Sequence, residues 1–146
     1  MLQYRAVRGR MEAKGDTSMT QTSITTPLAP VPVAAYSQAV KVNETVYLAG
    51  QGGFDPATGE LAGDDMAGQT RQALTNLRHV IEAAGGSLAD FVSVRVFITD
   101  HALFPEMNEV YGEFFAAPYP ARTTVTTGLG PGMKVEIDAI AVLSLN

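Results

Sequence analysis

A chain of 146 residues, 46% hydrophobic and 17% charged, has the size and composition of one compact domain, which excludes a disordered chain. Its formal net charge of −5 argues against nucleic-acid binding, which needs a basic footprint, and no apolar run reaches the ~20 residues of a membrane helix. With no cysteine there is no disulfide framework, thiolate nucleophile or Cys-based zinc site, and His79 and His101 stand too far apart in sequence to point to a metal centre.

Residues 1–22 read as an N-terminal extension, polar, without a sustained period and expected to be poorly ordered, with the domain proper spanning 23–146. Met1 to Ser18 lack a secretory apolar core and hold four bases and two acids, so the remainder carries six bases against thirteen acids, a balance of −7. Met19 is an alternative start, and the chain is expected in the cytoplasm. Pro27, Pro30 and Pro32 then predict an extended lead-in. Residues 38–42 and 45–50 predict a hairpin around Asn43-Glu44, and Asp55-Pro-Ala-Thr-Gly-Glu has turn chemistry.

Asp64 or Asp65 is placed to cap a helix running to about Ala84, whose apolar face carries Met66, Thr70, Ala73, Leu74, Leu77, Val80, Ile81 and Ala84. Gly85-Gly86 ends it. Residues 91–98 alternate as a strand, with Val92, Val94, Val96 and Ile98 on one side against Ser93 and Arg95. A second helix is predicted from about Leu103 to Phe115, with Pro105 in its first turn and Phe104, Met107, Val110, Tyr111, Phe114 and Phe115 as its apolar stripe. Residues 122–127 and 133–143 are the last two strands, joined by Gly128-Leu-Gly-Pro-Gly. The order β-β-α-β-α-β-β predicts an α+β domain, with two helices on one face of a mixed sheet. In the last strand Val135, Ile137, Ala139, Ala141 and Leu143 form one parity, but Ile140 and Val142 stand on the other with Glu136 and Asp138. Two partly apolar faces point to burial of the sheet against another subunit.

Two charges stand out in these final strands. Arg122 opens an otherwise uncharged segment and Glu136 lies inside the next apolar strand. A charge in such a place costs several kcal/mol unless it is paired or hydrogen-bonded. Arginine is the side chain best shaped to hold a carboxylate through two parallel hydrogen bonds. The pair therefore reads as part of a pocket for a small anion with Arg122 as its clamp; the plainer alternative is a surface or interface ion pair, including one between Arg122 and Glu136.

The stretch Pro120-Ala-Arg-Thr-Thr-Val through Val135-Glu-Ile-Asp-Ala-Ile-Ala resembles the signature of the reactive intermediate deaminase family, also called Rid or YjgF-like. Tyr36-Ser-Gln-Ala-Val, Ala49-Gly-Gln with Asp55-Pro-Ala-Thr-Gly-Glu-Leu, and Met107-Asn-Glu-Val-Tyr agree in the same order, so the resemblance covers roughly 23–143. It implies a chorismate-mutase-like protomer, a homotrimer, and ligand sites in the clefts between subunits. It also implies hydrolysis of enamine/imine intermediates released by pyridoxal-phosphate enzymes to 2-keto acids and ammonia, with no cofactor of the chain's own. By position Arg122 matches the arginine that binds the substrate carboxylate and Glu136 the acid near the attacking water. Tyr36, Gly50 and Asn108 match further pocket positions. Thr124 stands where the family commonly has cysteine; Ala34-Ala35 replaces the usual Gly-Pro, and Gly52-Gly53 a common Ile-Pro.

The chemistry asked of such a site is modest. A 2-iminoacid is electrophilic at its imine carbon, so the protein need only grip the carboxylate and deliver water, with Glu136 as the acid–base group. The alternative is a non-catalytic trimer that binds small carboxylates as a sensor or enzyme partner. A ribonuclease role comes third, against the acidic charge and the lack of a histidine constellation. Thr123, Thr124, Thr126 and Thr127 are otherwise plain β-formers. Tyr36 reads equally as a core aromatic, and Asn108 as a helix bridge; His79 reads as solvated and His101 as without a partner.

Overall fold

The computed structural model describes residues 19–144. The extension read over 1–22 lies outside the described residues as far as position 18. Its last two residues belong to a strand, β1 (Gln21–Ile24), that sequence pattern did not reveal. Then follow β2 (Ala39–Val42), β3 (Thr45–Gly52), α1 (Met66–Ala83), β4 (Phe91–Ile98), α2 (Phe104–Phe114), β5 (Ala121–Thr126) and β6 (Val135–Val142). The six strands form one mixed sheet in the order β1-β2-β3-β6-β4-β5. Only β4 and β5 run parallel, with α2 as the crossover between them.

β1 is polar and mostly exposed, and it is held by its backbone ladder to β2 rather than by an apolar face. The β2–β3 hairpin turns at Asn43, whose φ of 52° suits asparagine. The Asp55 turn forms as its chemistry predicts: its carboxylate accepts from the Ala57 N–H at 2.8 Å, and Gly59 takes φ 74°. α1 ends in a Schellman cap, with Gly85 at φ 91° and the Gly86 N–H donating to the Ile81 carbonyl. Its start differs from expectation. Asp65 is the N-cap residue but makes no side-chain cap; instead Glu106, in the first turn of α2, accepts the Ala67 N–H at 3.1 Å. A carboxylate at a helix N-terminus offsets the macrodipole wherever it comes from.

α1 packs on β3, β6 and α2. The core between sheet and helices includes Leu74, Leu77, Ile81, Val94, Val96, Ile98, Met107 and Ile137, all nearly inaccessible to solvent. In β4 the predicted parity breaks at one point. Phe91 pairs with Ala141 and Ser93 with Ile140, a bulge that sinks Phe91 into the core and leaves Val92 47% exposed.

Buried amides shape the loops around this core. Gln38 accepts from the Thr26 N–H and donates to the carbonyls of Thr26 and Pro30, organising the proline-rich lead-in. Gln69 donates to the carbonyls of Gly63 and Gly132 and accepts from the Lys134 N–H at 2.8 Å, drawing the β5–β6 connection onto α1. Asn76 donates to the Phe54 carbonyl at 2.8 Å. His79, read from sequence as solvated, has its Nδ1 2.8 Å from the Leu28 carbonyl; a carbonyl only accepts, so Nδ1 carries the proton. No helix among the described residues is long and apolar enough to cross a membrane.

Candidate active site

Strand order overturns one premise of the sequence reading. Arg122 and Glu136 lie on consecutive strands in the chain but not on neighbouring ones, because β4 runs between β5 and β6. Arg122 pairs with Val94, a core residue, and so stands on the helix-facing side of the sheet. Glu136 alternates with the buried Val135 and Ile137, so it stands on the opposite, open face. The sheet separates them, and among the described residues the ion pairs are Arg71–Glu113 and Arg95–Asp138. An Arg122–Glu136 bridge within the chain is therefore ruled out.

Each charge has its own setting. On the helix side, Arg122 lines a cleft of about 480 Å³ with Asn108, Tyr111, Gly112, Tyr119 and Pro120. Its Nη1 donates to the Asn108 Oδ1 at 2.8 Å. Its guanidinium carbon lies 4.5 Å from the centre of the Tyr111 ring and 5.5 Å from that of Phe104. Such cation–π contacts are worth about 0.5–2 kcal/mol each, against roughly 2 kcal/mol of rotamer entropy lost when an arginine is held still. Phe104, Asn108 and Tyr111 fall at i, i+4 and i+7, one face of α2. Thr124 shares Arg122's side of β5, two residues along, opposite Val96 in the ladder.

On the open face, Glu136 lines a depression of about 400 Å³ with Tyr36, Ala49, Gly50, Phe97 and Asp138. Between Leu48 and Gln51, β3 spends three steps where β6 spends two, a bulge that lifts Gly50 out of the ladder. A Cβ at Gly50 would sit 3.0 Å from the Glu136 Cδ, so glycine is what lets the carboxyl lie over the strand. Tyr36 is exposed, which removes the core-aromatic reading. Asp138 is held by Arg95 through two hydrogen bonds of 2.9 and 2.7 Å. Those bonds also push the Arg95 guanidinium further towards its charged form. The Gly52-Gly53 departure has a packing cause: a Cβ on Gly53 would come within 2.6 Å of the Gln69 backbone, and one on Gly52 within 2.7 Å of the Met133 side chain.

Sequence reasoning assigned all these residues to one pocket; within the protomer the structure brings Tyr36, Gly50 and Glu136 together on the open face and Arg122 and Asn108 together on the helix side, with Thr124 on the same side of β5. Sequence reasoning missed the aromatic support of Arg122. Tyr111 was counted as core stripe, and the i, i+4, i+7 spacing of Phe104, Asn108 and Tyr111 was the available signal. Tyr111 is 5% exposed and its buried hydroxyl has no hydrogen-bond partner among the described residues. Burial raises its pKa above the ordinary tyrosine value, with the Arg122 charge acting the other way. Among the described residues no cluster of three or more metal-ligating side chains occurs.

The family model for Endoribonuclease L-PSP, the YjgF/RidA family, matches residues 26–143. The chain belongs to this family. It is 45% identical over 121 residues to the 2-iminobutanoate/2-iminopropanoate deaminase of Dermatophagoides farinae, covering 82% of this chain and 94% of the relative. RidA from an Antarctic Psychrobacter superposes with a TM-score of 0.81 at 45% identity, covering 84% of this chain and 99% of that one. E. coli TdcF with bound serine superposes with a TM-score of 0.81 at 39% identity, with 84% and 99% of the two chains covered. The six-stranded sheet with two helices is the fold of this YjgF/RidA family.

Proposed function

We propose that this chain is an enamine/imine deaminase that hydrolyses 2-iminoacids of the 2-aminoacrylate type to 2-keto acids and ammonia, working as a homotrimer of chorismate-mutase-like protomers in the cytoplasm. Its deaminase relatives support the reaction. The observation that carries the site is Arg122, held by an amide and two aromatic rings and paired with no carboxylate among the described residues. One N–H is spent on Asn108, leaving the rest of the guanidinium fork for a ligand carboxylate. Because the sheet lies between Arg122 and Glu136, one protomer does not complete the site. The Arg122–Asn108 cleft of one copy, with Thr124 beside it on β5, closes against the Tyr36–Gly50–Glu136 face of the next.

In the reaction, Arg122 fixes the carboxylate and thereby the imine carbon beside it. With the imine nitrogen protonated, Glu136 takes a proton from water as the water oxygen bonds to the imine carbon and the C=N π pair moves onto nitrogen, giving a carbinolamine. Glu136 then returns that proton to the amine. As the hydroxyl oxygen forms the C=O and yields its proton to Glu136, the C–N bond breaks with its electron pair on nitrogen. The released ammonia takes that proton up, leaving ammonium and the 2-keto acid. One water is consumed and no electrons are transferred, so the chemistry asks for no cofactor. Such acid–base assistance is worth roughly 10²–10⁴-fold. A ribonuclease activity is disfavoured by the net charge of −5 and by His79 and His101, which line neither the Arg122 cleft nor the Glu136 depression.

The test supplies 2-aminoacrylate from a dehydratase and traps surviving imine with semicarbazide. The expected result is that the protein suppresses trapping. Failure with small, branched and aromatic imines would sink the deaminase reading, and retained 2-keto acid binding would then mark a non-catalytic carboxylate-binding trimer.

A further inference from the structure

We infer that Tyr111 is a positioning residue for Arg122: its ring, not its hydroxyl, aims the guanidinium across the cleft, with Phe104 as the second side of the cradle. The inference rests on the carboxylate-clamp reading of Arg122 and deepens it.

Arg122 is the second residue of the edge strand β5, with no further strand beyond it among the described residues and a long, rotatable stem. Three groups of α2 hold its head: the Asn108 Oδ1 at 2.8 Å, the Tyr111 ring at 4.5 Å and the Phe104 ring at 5.5 Å. The amide fixes one nitrogen. The rings fix the plane, because a guanidinium lies favourably against an aromatic face, and they leave the edge of the fork open to a ligand. Tyr111 is itself packed into the core. It is 5% exposed, its ring centre lies 4.5 Å from that of Phe115, and Phe115 packs at 5.9 Å on Phe91 of β4. The rigid core is thus carried through two rings to the cation. The hydroxyl plays no part in this: it is buried, has no hydrogen-bond partner among the described residues, and burial favours its neutral form.

The test compares Tyr111→Phe, Tyr111→Leu and Phe104→Leu in the full chain by two readouts. The first is pyruvate binding by calorimetry. Tyr111→Phe should bind as wild type does. Tyr111→Leu should bind about tenfold more weakly, the scale of one well-placed cation–π contact, and Phe104→Leu less severely. The second is the ring-current shift of the Arg122 side-chain signals in protein labelled at arginine. These signals should be displaced upfield in wild type and Tyr111→Phe, and should move towards free arginine in Tyr111→Leu. Phe104 is only partly buried, so its variant supplies the same measurement if Tyr111→Leu does not fold. Unchanged Arg122 shifts in the leucine variants, or loss of binding in Tyr111→Phe, would overturn the inference. If wild type binds no 2-keto acid, the carboxylate clamp itself fails, while the Arg122 shifts still decide whether the ring positions the cation.

Discussion

At the scale of single residues the proposed reaction divides between two side chains with different duties. Arg122 supplies charge and a planar fork. Arg122→Lys keeps the charge and loses the fork, so this variant is expected to fold and to bind 2-keto acids at least tenfold more weakly; Arg122→Ala should abolish deamination with the assembly intact. Calorimetry with pyruvate and 2-ketobutyrate checks both, and unchanged affinity in the alanine variant would refute the clamp. Glu136 lies over Gly50 with room for a small reactant beside Tyr36 and Phe97. Glu136→Gln keeps size and hydrogen bonding but takes no proton. It should lower kcat by roughly 10²-fold or more with little change in product affinity. Equal losses in binding and turnover would instead make Glu136 a substrate contact.

At the scale of elements, the site depends on close approaches that only glycine permits and on polar ties between segments. Gly53 lets the end of β3 lie on the α1 backbone; Gly53→Ala pushes a methyl to within 2.6 Å of Gln69 atoms and should lower stability by about 1–3 kcal/mol, measured as a fall in Tm. Asp90 joins the start of β4 to the chain's last described residue. Its carboxylate accepts from the Ser144 hydroxyl at 2.7 Å and from the Ser87 N–H at 2.8 Å. The Ser144 hydrogen bond, foremost, holds its pKa below the ordinary 3.8. A depressed folded-state pKa stabilises above the unfolded value and is lost as pH falls through the folded one. Asp90→Asn should therefore be less stable than wild type at pH 7, and the gap should close as the pH drops below 3.8. A gap in Tm that stays constant with pH would show that the charge of Asp90 is immaterial.

At the scale of the whole molecule, the open face of the sheet is the unfinished part. Tyr47 and Ile140 are ladder partners on it, 51% and 37% exposed, and Val142 at 45% continues the row. The proposed trimer covers this face and brings Glu136 to a neighbour's Arg122. Light scattering at micromolar concentration should give about three times 15.5 kDa. Ile140→Asp, which places a charge in the buried interface, should yield monomer and should lose 2-keto acid binding although Arg122 and Glu136 are untouched. A monomeric wild type, or a monomeric variant that still binds, would dismiss the shared site.

Most local structure was determined by the sequence alone, since it follows from short-range causes. Apolar residues at helical spacing define α1 and α2, Gly85-Gly86 closes α1, Asn43 turns the hairpin, and alternation marks β4 and β6. The family motifs likewise singled out Arg122, Glu136, Tyr36, Gly50, Asn108 and Thr124 by residue type and order. What periodicity does not carry is which strand lies beside which. Strand order is settled by pairing between distant segments, and only that pairing placed β4 between β5 and β6 and put Arg122 and Glu136 on opposite faces. β1 escaped notice because a polar edge strand is stabilised by its ladder and shows no apolar face. The Glu106 cap of α1, the amides of Gln38, Gln69 and Asn76, and the Tyr111 ring beneath Arg122 escaped for a related reason. A polar or aromatic side chain has no direction in a sequence; its partner is chosen when the core brings remote backbone within reach.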